Sequence, residues 1–146
     1  MNRTTECLTY LGLLPFIAAL GMSFYGLNVG HITGPLLFIS YSAIILCFIA
    51  GALWGQSSHH KHTRHSVALL MTNIWALAAW VCLLVFISSS KFLAIALLAI
   101  GFIHLLLLEL KIKSIDASPE YYTMRKRISF FVVLCHLIML ILLSQK

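Results

Sequence analysis

Acidic side chains are scarce in this chain: Glu6, Glu109, Asp116 and Glu120 are all there are in 146 residues, against ten Lys and Arg. Only 10% of the side chains are charged while 61% are hydrophobic, so there is too little charge to coat a water-soluble domain of this size. That excludes an ordinary soluble globular protein. No soluble stretch is long enough to fold alone, and residues 1–146 read as a single transmembrane domain. The net charge of +6 therefore reports membrane topology, and nucleic acid is not an expected partner. Paired cysteines are lacking as well. Cys7, Cys47, Cys82 and Cys135 lie within or beside apolar runs with no C-x-x-C spacing, which points to packing rather than to a disulfide or thiolate metal site. No Ser/His/Asp, paired-carboxylate or phosphate-cradle spacing occurs, and the expectation is that the protein is not an enzyme.

What the chain does have is five continuous apolar runs, roughly 7–27, 35–55, 67–87, 91–109 and 127–143. Each is near the ~20 residues that cross a hydrocarbon core as a helix. They are continuously apolar rather than alternating, and in lipid the backbone must satisfy itself within the segment. The expected fold is an all-α membrane protein, a bundle of five transmembrane helices. The breaks are sharp: "NVGHITGP", "SSHHKHTRH", "SSSK" and the long "KIKSIDASPEYYTMRKR". Arg3, Lys61, Arg64, Lys111, Lys113, Arg125, Lys126 and Arg127 fall on one side of the membrane, and only Lys91 and Lys146 on the other. This bias predicts a cytoplasmic N-terminus and an outside C-terminus. The first run is too long for a signal-peptide core and lacks a small-residue cleavage site, so it is expected to remain as a helix.

"YLGLLPF" (10–16), "FIAGALWG" (48–55), "LLMTNIWALAAW" (69–80) and "EYYTMRKRIS" (120–129) resemble the family labelled domain of unknown function 3429, whose eukaryotic members include transmembrane protein 69. The resemblance touches four of the five spans. It implies a small multi-span protein of a bacterial cytoplasmic membrane or the mitochondrial inner membrane, with no activity to carry over. The chain departs from the family's pattern at Leu53, where a polar residue often precedes the tryptophan, which argues against chemistry around Trp54.

Small residues recur along two spans. Gly12, Ala19, Ser23 and Gly26 lie near one stripe of the first, and Ala43, Cys47, Gly51 and Gly55 near one stripe of the second, beside Trp54. Such stripes let helices approach closely, within the chain or against another protein. Pro15 predicts a kink in the first span, its freed carbonyl covered by a neighbouring helix. Ser118 followed by Pro119 and Glu120 predicts a capped helix that runs on into the fifth span. Tyr121, Tyr122, Arg125, Lys126 and Arg127 at its start are expected to meet anionic phospholipid headgroups.

Ionisable groups inside spans are suspects for function. His104 and His136, with Asn73 and Ser129, are expected to form one polar layer within the bundle, as interhelical hydrogen bonds, a proton relay or a quinone contact. Two histidines raise haem b, but they are staggered by about 6 Å in depth, and no cofactor is expected. In the loop, His59, His62 and, less well, His65 have the i, i+3 spacing of metal ligands, yet Lys61 and Arg64 oppose a cation, so no metal is expected. The preferred reading is an accessory subunit or assembly factor of a larger inner-membrane, respiratory-type complex, with other membrane subunits or a second copy as partners. The alternative is a small dimeric transporter or a lipid- or quinone-binding protein using the buried layer.

Overall fold

The computed structural model describes residues 3–58, 63–112 and 118–145. Its elements run α1 (Arg3–Leu11), α2 (Leu14–Tyr25), β1 (Asn28–Val29), β2 (Ile32–Thr33), α3 (Gly34–Ser58), α4 (Thr63–Ser88), α5 (Lys91–Ile112) and α6 (Pro119–Ser144). Five segments are long and apolar enough to cross a membrane: Cys7–Tyr25, Gly34–Ser58, His65–Ser88, Lys91–Ile112 and Pro119–Ser144. These match the five expected runs. The last starts earlier because the expected cap is made: the Ser118 hydroxyl accepts from the Tyr121 N–H at 3.3 Å, with Pro119 in the first turn.

The first span is two helices. Pro15 has no N–H to donate backward, and the helix breaks at Gly12 and Leu13 before restarting at Leu14. The Gly12 carbonyl in that break accepts from the Tyr41 hydroxyl of α3 at 2.9 Å. Between α2 and α3 the chain makes a hairpin the sequence reading did not anticipate. Asn28 pairs with Thr33 and Val29 with Ile32 around a two-residue loop, Gly30–His31, in which Gly30 holds φ +60°.

From α2 onward successive helices pack as neighbours, and α3 also touches α5 while α6 returns to α2, so the bundle closes on itself with α1 leaning on α6. The core along α3 is Phe38, Ser42, Leu46, Ala50 and Leu53. Of the small-residue stripe expected there, Ala43 is buried. Cys47, Gly51 and Trp54 are exposed and Gly55 is half-buried, while Ser42, Leu46, Ala50 and Leu53 on the adjacent stripe face the interior. A Cβ on Gly51 or Gly55 would meet nothing within 4 Å. In the first span Ala19 and Ser23 are buried as expected, but Gly26 is an exposed left-handed helix cap at φ +65°, not a packing position. The closest backbone approach is at Gly34, where a Cβ would lie 2.6 Å from the Ser23 nitrogen and 2.8 Å from the Ala19 carbonyl.

Candidate functional site

The expected polar layer separates into parts. Asn73 is exposed, and its amide donates to Leu69 O of its own helix at 2.8 Å. His104 receives the Trp75 indole N–H on Nδ1 at 2.6 Å, tying α5 to α4. An indole only donates, so this bond assigns the neutral His104 proton to Nε2. His136 is fully buried, with Nδ1 on Val132 O at 2.8 Å and ring contacts to Phe16, Phe38 and Phe102 at 4.9–5.8 Å. Phe102 and His104 are two residues apart on α5, about 200° around the helix. The two histidines thus address different sides of α5. Asn73 joins neither, because the face of α4 that turns inward is that of Ala68, Thr72 and Ala79.

Sequence reasoning missed the strongest polar cluster. Glu109 of α5 is 6% exposed. Its Oε2 pairs with Arg125 Nε at 2.9 Å and its Oε1 accepts from the Tyr121 hydroxyl at 2.7 Å. Tyr121 and Arg125 lie four residues apart at the start of α6, so both reach one carboxylate on the facing helix. The signal was present: one acid inside the apolar end of α5 and one arginine at the same level of α6. Tyr121 and Arg125, expected to face headgroups, are instead turned inward, because the buried carboxylate must be paired. Tyr122 stacks edge-on against Tyr121 at 5.4 Å, while Lys126 and Arg127 stay exposed.

Beside this cluster lies an apolar cleft of about 470 Å³. Leu8, Gly12 and Leu13 wall it on one side, Ile45, Phe48 and Ile49 on another, and Arg125, Ile128, Ser129 and Val132 along α6. Phe16 and Phe102 line it too, and both rest on His136. A smaller cavity of about 180 Å³ adjoins it, sharing Thr9, Phe48, Ile49 and Arg125 and reaching Gln56, Glu109 and Tyr121. Together they make one groove, polar at the Glu109–Arg125 end and apolar beyond. A separate groove between α4 and α5 is lined by Val67, Met71, His104 and Lys111.

His59 and His62, weak metal-ligand candidates in a loop where no metal is expected, lie outside the described residues. His65 is half-buried, and among the described residues no three of His, Cys, Asp and Glu gather as a metal site would need. A family model described as "Protein of unknown function (DUF3429)" matches residues 1–141. No curated protein and no solved structure matches the chain.

Proposed function

The chain belongs to the DUF3429 family of proteins of unknown function, and from that premise we propose that it is a non-catalytic multi-pass protein that holds a lipid-soluble molecule in the cleft between its first span, α3 and α6. The observation that carries this is the cleft itself: about 470 Å³ of largely apolar space ending at a half-buried arginine paired with a buried carboxylate. Ligand sites have this form, an apolar wall with a few convergent polar groups that set orientation. An arginine inside a span is costly and persists where it has a partner and a use. The membrane of residence is the bacterial cytoplasmic membrane, with the Arg125 end of the cleft toward the cytoplasm.

The test is to extract the protein from its native membrane without detergent and measure apolar small molecules per chain by mass spectrometry, for wild type and for Ile49→Trp. Ile49 lines both parts of the groove, and an indole there occupies the space. A near-stoichiometric molecule lost in the variant supports the reading. Equal, nonspecific lipid content in both overturns it.

A second reading, an accessory subunit or assembly factor of a larger inner-membrane complex, is favoured by the outward face of α3. Glycine inside a helix costs about 1 kcal/mol relative to alanine, and a Cβ at Gly51 or Gly55 would meet nothing within 4 Å among the described residues. A partner helix lying close against that face gives those glycines a use. The two readings are compatible, since a subunit can carry a ligand.

A further inference from the structure

The charges at the groove's polar end restrict what fits there. Glu109 and Arg125 cancel, and they are the only acidic or basic side chains lining either part of the groove among the described residues. A head with a net charge gains no counter-charge there and loses its hydration. Yet donors remain. Arg125 meets Glu109 through Nε, and its two terminal nitrogens make no hydrogen bond among the described residues. Ser129, one turn further along α6, lines the cleft with a hydroxyl that likewise makes none. Tyr121 has its hydroxyl proton committed to Glu109. The polar end thus offers N–H and O–H donors at zero net charge, which is complementary to a neutral head bearing acceptor oxygens.

The direction of the ligand follows from the other end. From Arg125 to Val132 the cleft follows α6 for about 10 Å, and beyond Ser129 its lining is Val132, Phe16 and Phe102. That end takes a hydrocarbon chain. Phe48 at the groove's side is 73% exposed, so the groove opens laterally, and a chain longer than the cleft passes out between the first span and α3 into the bilayer.

Resting on the cleft reading above, we infer that the ligand is a neutral amphiphile with a carbonyl-bearing head, of the quinone or acylglycerol class, its oxygens on Arg125 and Ser129 and its chain along Val132 and Phe16. Arg125→Lys keeps the charge opposite Glu109 but replaces the guanidinium fork with an ammonium. Ser129→Ala removes one donor with little change in volume.

The experiment is the thermal unfolding midpoint of the full chain in uncharged nanodiscs with three short-chain probes: a decyl quinone, a dioctanoyl glycerol and a dioctanoyl phosphatidate. A saturable rise with the quinone or the glycerol, and none with the phosphatidate, is expected, and which of the two acts identifies the source of the carbonyls. Ser129→Ala should weaken that binding by about 2- to 10-fold, the loss of one hydrogen bond, and Arg125→Lys should weaken it at least as much. A rise with the phosphatidate alone, abolished by Ile49→Trp, overturns the head-group inference and leaves the cleft reading standing. A neutral-probe rise unaffected by both Arg125→Lys and Ser129→Ala overturns the assignment of the donors. No rise with any probe overturns inference and cleft reading together.

Discussion

Arg125 Nε lies 2.9 Å from Glu109 Oε2, and the pair joins α5 to α6 with Tyr121 completing the carboxylate's hydrogen bonds. Both side chains are largely removed from solvent, at 14% and 7% exposure. Such a pair contributes little net stability over an apolar replacement, but breaking it leaves one charge buried alone. The pair is therefore expected to behave as a unit.

Arg125→Met should cost about 3–5 kcal/mol of stability, because Glu109 is left unpaired. The double variant Glu109→Leu with Arg125→Met should recover most of that loss. Unfolding of the four proteins of this cycle in a mild detergent gives the coupling directly, and additive costs would show that the two groups do not interact.

Gly34→Ala should destabilise by about 1–3 kcal/mol, since overpacking moves backbone. The added methyl would press on the Ser23 nitrogen and the Ala19 carbonyl, neither of which is a flexible side-chain end. Gly51→Ala should do the opposite in the isolated protein, stabilising it by about 0.8–1 kcal/mol. If α3 docks a partner, the same change should lower recovery of that partner from native membranes. Unchanged recovery would count against the subunit reading.

His136→Leu should be neutral within about 1 kcal/mol, or stabilising. The imidazole has one bond to its own helix and leaves Nε2 buried without a partner, and an apolar residue of similar volume removes that cost. A large loss of stability measured by thermal unfolding would show that Nε2 has an unseen role.

Trp75→Phe should loosen α4 from α5 by about 1 kcal/mol, the value of one interhelical hydrogen bond in membranes. His104→Ala should cost a similar amount for the bond, with packing loss added. The double variant should show coupling of the same size, read from unfolding midpoints of the cycle.

The five spans and the α6 cap were legible in the sequence because length, continuous apolarity and Ser118–Pro119 each act locally. Pro15 announced its break for the same reason, but the carbonyl that Tyr41 covers is Gly12's and not the Leu11 carbonyl that Pro15 leaves without its donor. Which face of each helix turns inward was not legible. In a water-soluble helix polar residues mark the outside, but here both faces are apolar, so the sequence could not say whether the stripe through Cys47, Gly51 and Gly55 faces in or out; Cys47 and Gly51 are exposed and Gly55 is half-buried. The polar layer failed for a related reason. Depth along a helix can be counted from sequence, whereas rotation about it cannot, and rotation sends His104 to Trp75 and His136 to three phenylalanines. Glu109 stands near a span end, where an acid ordinarily reaches water, so its position alone did not single it out. Only the facing turn of α6 reveals it as the centre of the polar site.

The most direct test of the ligand cleft is photolabelling in native-like nanodiscs with a neutral quinone whose chain carries a diazirine, followed by peptide mapping. The account predicts label on α3 at Ile45 and Ile49 and on α6 at Val132, reduced by excess unlabelled quinone and lost in Ile49→Trp. Label confined to outward residues such as Phe24 and Ile87, unaffected by competitor, would contradict it.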